Sequence, residues 1–160
     1  MYVLLGSGML VVCMAIQVLV VSILLQGLNA LVQRNLIKQT IGFAWTLIIA
    51  VVIVLFAGNL LQAALWAWMF LAFQEFKDFG TAFYHSLVNF STLGYGDIVM
   101  SDERRILGAL QAGNGVFMLG LTTSVLYSFV SELVHRRRHT RKAKHASSDG
   151  TGAREEKDSS

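Results

Sequence analysis

The sequence has little charge, a single cysteine and no proline. Only 14% of its 160 residues are charged, whereas soluble domains usually carry about 25%. One cysteine, Cys13, excludes an intrachain disulfide and with it a disulfide framework. Hydrophobic residues make up 54% of the chain and fall into long runs that are almost free of charge. This distribution predicts helices that are solvated by lipid.

Three long apolar runs cover most of the chain, at residues 3–25, 41–73 and 106–134. A helix rises about 1.5 Å per residue, so each run is long enough to cross ~30 Å of hydrocarbon. No basic residue precedes the first run, which favours a retained transmembrane helix over a signal peptide. The runs therefore predict an all-α membrane protein with three transmembrane helices.

Several classes of function are disfavoured by what the sequence lacks. No apolar run carries an arginine at every third residue, which argues against a voltage sensor. No nucleophile–base pair or metal-ligand cluster stands out, so we do not expect an enzyme. The two halves of the chain show no repeat, unlike many solute transporters. We also expect no nucleic-acid partner and no small-molecule substrate.

The basic residues predict the orientation in the membrane. Arg34 and Lys38 lie between the first two runs, and eight further basic residues follow the third. Only Lys77, Arg104 and Arg105 lie between the second and third runs. Because loops rich in lysine and arginine stay in the cytoplasm, we expect the N-terminus outside and the C-terminal tail inside. The expected location is the cell membrane, most simply a bacterial plasma membrane.

The end of the chain is polar and begins with a basic stretch. Residues 136–160 contain many charged and small polar side chains and have no apolar period. This composition predicts a disordered cytoplasmic tail. Its basic stretch is expected to contact membrane lipids.

A glycine-rich segment lies between the second and third runs. Residues 92–97 read Thr-Leu-Gly-Tyr-Gly-Asp and follow a short amphipathic stretch. The region is too short to cross the membrane twice, so we predict that it enters and returns on the outer side. Gly94 and Gly96 alone are not specific, because glycines two residues apart occur at three other places in the chain.

The placement of this segment resembles the pore domain of the potassium channel superfamily, in its small form with two transmembrane helices and a pore loop. The usual filter of that family is T-V-G-Y-G, and here Leu93 replaces the valine. The resemblance covers roughly residues 41–134. It implies an extra N-terminal helix at 1–34 and a pore domain at 35–135. It also implies a re-entrant pore helix and a selectivity-filter loop between the second and third transmembrane helices.

The resemblance assigns potassium binding to the backbone of the glycine-rich segment. The implied filter residues are Thr92, Leu93, Gly94, Tyr95 and Gly96. Carbonyls of the first four, with the Thr92 hydroxyl, would replace the water around a potassium ion. Successive carbonyls can point inward only if alternate residues accept left-handed dihedrals, as glycine does. One loop supplies a quarter of the ring, so a homotetramer is expected, with potassium as permeant ligand and no other cofactor.

The stretch before the filter departs from the family pattern at two positions. His85 stands where many members have a tryptophan that supports the filter tyrosine, so His85 is expected to support Tyr95. Val88 replaces a glutamate that pairs with the filter aspartate in some members, so Asp97 needs another partner, for which Tyr84 is the candidate. His85 is interpreted as a neutral residue of the pore helix, with a pH sensor as the alternative.

Three residues of the third run are candidates for the cavity or the gate. Asn114 and Thr122 are eight residues apart, about two turns, so they share a helix face that is predicted to line a cavity. Gly115 is the best placed hinge for an inner gate, and close helix packing is its alternative role.

The leading hypothesis is a potassium-selective channel subunit that conducts passively through a tetrameric pore. A weakly selective cation channel is the nearest alternative. A non-conducting membrane scaffold or modulatory subunit is the alternative from another class.

Overall fold

A computed structural model describes residues 1–33 and 41–158 of the protein. The backbone of this part forms no strand and four helices, α1 (Tyr2–Gln33), α2 (Ile41–Ala72), α3 (Phe79–Phe90) and α4 (Arg105–Asp158). Three spans are long and apolar enough to cross a membrane, at Tyr2–Gly27, Trp45–Ala72 and Arg105–Glu132. The prediction of an all-helical protein with three such spans is confirmed. Arg34 and Lys38, which contribute to the predicted orientation, lie outside the described residues.

The short helix α3 lies between α2 and α4 along the chain and contacts both. Asp78 begins it, because its carboxylate accepts hydrogen bonds from the Thr81 backbone N–H at 2.9 Å and from the Thr81 hydroxyl at 2.8 Å. The bond from the Thr81 N–H is the main reason that the pKa of Asp78 is lowered. At the other end, the Ser91 N–H donates to the Leu87 carbonyl at 3.0 Å. The chain then leaves the helix at Thr92, whose φ is +59°.

The first helix, α1, contacts α2 and α4. It runs parallel to α4. Tyr2 lies beside Arg104 just before α4, and Gln17 lies beside Thr122 further along both helices. Gly6, Cys13 and Gln17 are buried and recur at helical spacing on one face of α1. Most of its other side chains are exposed and apolar, as expected for a face that contacts lipid.

A polar cluster joins the start of α1, the end of α2 and the start of α4. Arg104 Nη1 donates to Glu75 Oε1 at 2.6 Å and to the Phe73 carbonyl at 2.8 Å, and Arg104 Nε donates to the Tyr2 hydroxyl at 3.4 Å. Glu75 also accepts from the Ser101 N–H at 2.9 Å and from the Ser101 hydroxyl at 2.6 Å. Burial works to raise the pKa of Glu75, but the bonds from Ser101 and Arg104 together lower it.

The fourth helix continues far beyond the third apolar run. A disordered tail is predicted over residues 136–160, but the backbone is helical as far as Asp158, and residues 159–160 lie outside the described part. Arginine, lysine and alanine are frequent from residue 136 to 146, and they favour helix. No proline interrupts them. The structure therefore differs from the prediction of disorder, which used only the lack of an apolar period.

Candidate functional site

The segment 92–97 directly follows α3, and it has an unusual backbone. Thr92, Gly94 and Gly96 have φ values of +59°, +59° and +74°. Leu93 and Tyr95, which alternate with them, do not have positive φ. The alternation of left-handed residues that was expected for this segment is therefore present. Thr92 adopts this conformation although it is not glycine, which costs free energy that the surrounding contacts must offset.

Hydrogen bonds to α3 hold the first half of the segment. The N–H of Thr92 donates to the Asn89 carbonyl at 2.9 Å, and the N–H of Leu93 donates to the Val88 carbonyl at 3.0 Å. The N–H of Gly94 donates to the same Val88 carbonyl at 3.4 Å. Within the described chain, the carbonyls of residues 92–96 accept no hydrogen bond. The segment thus presents a row of free carbonyl oxygens on an exposed stretch of backbone.

Tyr84 of α3 fixes the far end of the segment. Its hydroxyl donates to Asp97 Oδ2 at 2.7 Å, and Asp97 Oδ1 accepts from the Ile98 N–H at 3.0 Å. Tyr84 is therefore the partner of Asp97, as the sequence suggested. The hydrogen bond to Asp97 raises the pKa of Tyr84, because the carboxylate stabilises the protonated phenol.

His85 makes a different contact from the one predicted. Its Nδ1 lies 3.1 Å from the Ile98 carbonyl, and its Nε2 lies 2.9 Å from Asn89 Nδ2. The ring packs against Phe70 and Phe76, with centroid distances of 5.7 and 4.9 Å. Within the single chain His85 does not contact Tyr95, which is 67% exposed, so the predicted support of Tyr95 stays a prediction. His85 instead supports the backbone just after Asp97.

The two partners of His85 favour one tautomer of the neutral ring. The Ile98 carbonyl can only accept, so Nδ1 carries the proton, and Nε2 accepts from the Asn89 amide. Burial lowers the pKa of His85 and outweighs the opposite effects of the Ile98 carbonyl, Asp97 and Glu75. This geometry agrees with the interpretation of His85 as a neutral residue.

Asn114 and Thr122 do lie on one face of α4, but that face meets protein. Thr122 Oγ1 accepts from Gln17 Nε2 at 3.3 Å and from Asn59 Nδ2 at 3.2 Å, so it faces α1 and α2. Asn114 is fully buried beside Cys13 of α1. Within the single chain these two side chains pack against α1 and α2, and the prediction that they line a cavity stays a prediction. Neighbouring helices supply hydrogen-bond partners to Thr122, whereas both polar side-chain atoms of Asn114 are buried without a partner in the described part of the chain.

Gly115 lies where α4 crosses the end of α3. A methyl group added to Gly115 would collide with the backbone carbonyl of Phe90, the last residue of α3. The proposed alternative role of close packing is therefore present at this position. It brings α4 directly against the residues that lead into segment 92–97.

Further residues that hold α3 were missed by the sequence analysis. Gln111 of α4 donates from Nε2 to the Ser86 carbonyl at 3.2 Å and to the Ser86 hydroxyl. The Ser86 hydroxyl donates in turn to the Ala63 carbonyl of α2 at 2.5 Å. Both side chains are fully buried. Their polarity within apolar surroundings is the signal that could have identified them.

No metal-binding cluster of histidine, cysteine or acidic side chains occurs in the part of the chain that the structure covers. The groups free to bind a ligand at residues 92–96 are backbone carbonyl oxygens, together with the Thr92 hydroxyl. Oxygen ligands of this kind suit a hard cation.

Comparison with known proteins identifies the family of the chain. A family model described as an ion channel, with a two-transmembrane pore domain like that of potassium channels, matches residues 49–132. The match covers more than half of the chain and runs from α2 through α3 into α4, so α1 lies outside it. Comparisons with curated proteins and with solved structures give no match. With its three apolar spans, the chain is a multi-pass membrane protein and belongs to the ion channel family.

Proposed function

We propose that the protein is one subunit of a homotetrameric channel that conducts potassium passively. Residues 92–96 form its selectivity filter, α3 is the re-entrant pore helix, and α4 is the inner helix. The observation that carries this proposal is the alternation of left-handed residues along a row of free carbonyls. The family match supports the broader assignment to ion channels.

Potassium binding by this segment uses backbone carbonyl oxygens together with the Thr92 hydroxyl. A potassium ion must lose its water to enter a narrow pore, and carbonyl dipoles replace that water at low cost. The N–H groups of Thr92, Leu93 and Gly94 are directed to α3, which leaves the carbonyls free to bind the ion. The C-terminal end of α3 adds the negative end of its dipole near this segment, which favours a cation.

A tetramer completes a site that one chain leaves open. In the single chain, all residues from Ser91 to Asp97 are exposed, including 55% of Leu93 and 67% of Tyr95. One segment provides only one wall of a pore, and four around an axis enclose an ion. Closed cyclic symmetry is the usual arrangement of such identical subunits.

The proposed setting is the cell membrane, in contact with lipid along the apolar helices. The N-terminus and segment 92–97 face the outside, and the end of α4 faces the cytoplasm, where its basic residues meet lipid headgroups. Potassium is the transported ion, and conduction involves no catalysis and no cofactor.

Ion flux from liposomes that contain only the purified protein tests the proposal. We expect potassium flux that exceeds sodium flux and that barium blocks. Equal fluxes of sodium and potassium would indicate a weakly selective cation channel. Absence of flux over varied pH, voltage and lipid would contradict the proposal and favour a scaffold or modulatory subunit.

A matched pair of glycine variants tests the assigned filter. Gly94 has φ of +59°, so Gly94→Ala strains the backbone even though no atom lies within 4 Å of the added carbon. Gly8 of α1 also has open space around it and has an ordinary helical backbone. We expect Gly94→Ala to abolish potassium flux while the tetramer persists, and Gly8→Ala to conduct normally. Undiminished flux in Gly94→Ala would refute the filter assignment.

A further inference from the structure

The helix outside the family match is closely attached to the helices inside it. At the start of α1, the Tyr2 hydroxyl accepts from Arg104 at 3.4 Å. One turn later, a carbon added to Gly6 would lie 2.5 Å from Leu110 Cδ1 and 3.2 Å from Leu107 Cδ2 of α4. Further along, Cys13 lies in one buried cluster with Leu107. The two helices therefore run side by side, with glycine allowing a close approach at Gly6.

A polar junction connects three helices deeper in the apolar region. It consists of Gln17 of α1, Asn59 and Gln62 of α2, and Thr122 of α4. Gln62 Nε2 donates to Gln17 Oε1 at 2.8 Å, and Gln17 Nε2 donates to Thr122 Oγ1 at 3.3 Å. Asn59 Nδ2 donates to the same Thr122 oxygen at 3.2 Å. Gln17 is 1% exposed and Gln62 is fully buried, so water does not compete for the bond between them, while Thr122 is half-buried.

The surroundings of Gln17 let the helices approach at this level. Gly58 of α2 lies against α1, because a carbon added there would be 3.6 Å from Val20 and 3.7 Å from Gln17 Oε1. These are ordinary van der Waals distances, so a methyl group at residue 58 would contact Val20 and Gln17 without displacing them. At this level α1 contributes the long polar side chain of Gln17, and α2 places Gly58, which has no side chain, opposite it.

The junction holds a different part of α4 from the one that α3 holds. Gln111 and Gly115 meet α3 at Ser86 and Phe90, which fixes the first half of the span Arg105–Glu132. Thr122 lies two turns beyond Gly115, and its hydroxyl faces α1 and α2. Any movement of the second half of α4 relative to α1 and α2 must break the bonds to Thr122.

We propose that Gln17 is a positioning residue for the channel, which makes α1 a brace that sets the position of the second half of α4 through the Thr122 hydroxyl. This inference rests on the proposed conduction, because the position of α4 matters to function only if α4 lines a pore. The brace favours the conformation described here over any conformation in which α4 separates from α1 and α2.

The first experiment compares the ratio of open to closed channels in single-channel recordings. Gln17→Leu removes the bonds to Gln62 and Thr122, and Thr122→Val removes the bonds from Gln17 and Asn59. Hydrogen bonds between membrane helices change equilibria by about 2.8-fold each, so each variant, which loses two bonds, is expected to shift the ratio roughly eightfold. Both shifts should have the same direction, while the conductance of the open channel and its potassium selectivity stay as in the wild type.

The double variant separates a shared contact from two independent effects. Together, Gln17→Leu and Thr122→Val remove three bonds, since one bond is common to both. We therefore expect a shift of about 20-fold, whereas independent effects would multiply to about 60-fold. A shift of about 60-fold in the double variant, or no shift in either single variant, would overturn the proposal.

Three control variants distinguish this bond from a general effect of polarity. Thr122→Ser keeps the hydroxyl and should behave as the wild type. Thr123→Val changes the neighbouring exposed threonine, whose hydroxyl bonds to the Leu119 carbonyl of its own helix at 2.8 Å. Gln26→Leu makes the same change as Gln17→Leu at an exposed position of α1. A shift in these controls as large as in the test variants would also overturn the proposal.

A second experiment measures the brace without using conduction. Spin labels on Val18→Cys in α1 and Tyr127→Cys in α4, which are 63% and 74% exposed, report the distance between the helices in a Cys13→Ala background. Dilution with unlabelled protein removes distances between subunits. We expect one narrow distribution with Gln17 and Thr122 present, and a broader or displaced one in Gln17→Leu and Thr122→Val. Unchanged distances would refute the brace even in a conducting protein, and changed distances would support it even if no potassium flux occurs.

Discussion

The hydroxyl of Tyr84 donates a 2.7 Å hydrogen bond to the carboxylate of Asp97. This bond joins the first half of α3 to the residue that ends the glycine-rich segment. Bonds from Thr92, Leu93 and Gly94 join the start of the same segment to the end of α3. The short helix therefore holds the segment at both ends and leaves its carbonyls free between them.

Removal of the Tyr84 hydroxyl should weaken conduction. Tyr84→Phe keeps the ring but leaves Asp97 without its side-chain donor, so the end of the segment is less firmly held. A hydrogen bond contributes roughly two- to tenfold to such an equilibrium, and we expect potassium flux to fall by about that factor. Flux from liposomes measures this effect. Tyr127→Phe, at a tyrosine of α4 that is 74% exposed, is the matched control and should conduct normally. Equal flux from the two variants would contradict the role assigned to Tyr84.

Acid should destabilise the protein through His85. Burial lowers the pKa of His85 below its ordinary value of 6.5 in the folded protein. The unfolded chain then binds more protons than the folded one as the pH falls below 6.5, so the free energy of unfolding decreases. One proton changes it by up to about 1.4 kcal/mol per pH unit, and the decrease ends below the folded pKa.

Thermal unfolding in detergent, at about pH 7.5 and about pH 5.5, measures this contribution on either side of the ordinary histidine pKa. His85→Gln cannot take up the proton, so its unfolding temperature should depend less on pH than that of the wild type. Because all other titratable groups remain, the difference between the two proteins isolates His85. The same pH dependence in both would show that His85 does not titrate in this range.

The sequence predicted those features that depend on local pattern. The three apolar runs specified three spanning helices, because length and hydrophobicity alone determine whether a helix can cross a membrane. The resemblance to potassium channels pointed to Tyr84 as the partner of Asp97, because Val88 replaces the acid that some members have at that place. The left-handed residues at Gly94 and Gly96 followed from the conformational freedom of glycine.

The features that depend on neighbouring helices were not predictable in this way. Spacing placed Asn114 and Thr122 on one face of α4, but it did not say which neighbour that face meets. A helix in lipid is apolar on every side, so hydrophobicity does not mark its buried face. The partner of Thr122 is Gln17, 105 residues away, and this contact depends on how α1 packs. For the same reason, the side of α3 on which His85 lies became clear only from its contacts with Phe70 and Phe76.

The ion pair between Glu75 and Arg104 should contribute to stability. The Glu75 side chain is 4% exposed, and it accepts bonds from Arg104 and from both donors of Ser101. Glu75→Gln removes the charge that pairs with Arg104, so we expect the unfolding temperature to fall by a few degrees. The lowered pKa of Glu75 means that this stabilisation is present above the ordinary pKa of 4.5 and is lost as the pH falls through the folded pKa.

A second ion pair on the same loop provides the control. Asp102 and Arg105 are 3.5 Å apart, and their side chains are 96% and 76% exposed. Exposed pairs of this kind contribute little, so Asp102→Asn should leave the unfolding temperature nearly unchanged. Equal effects of Glu75→Gln and Asp102→Asn would indicate that burial of the Glu75 pair does not matter.

Gly115 and Gly113 should respond differently to the same substitution. A methyl group at Gly115 meets the carbonyl of Phe90, and because this is backbone at the end of α3, no side-chain rotation relieves the collision. Gly115→Ala should therefore lower the free energy of unfolding by about 1–3 kcal/mol, the usual cost of overpacking. At Gly113 nothing lies within 4 Å of the added carbon. Gly113→Ala should leave stability unchanged or raise it by about 0.5–1 kcal/mol, because alanine favours helix over glycine.

Unfolding of the two variants by detergent titration, together with potassium flux, distinguishes packing from a hinge at Gly115. If Gly115 provides close packing, Gly115→Ala displaces the end of α3, and stability and flux fall together. If Gly115 provides a hinge instead, Gly115→Ala unfolds like the wild type, and only the opening of the channel, measured as potassium flux, changes. The contact with Phe90 favours the first outcome, since a helix that moved freely about Gly115 would also have to leave the backbone that carries segment 92–97.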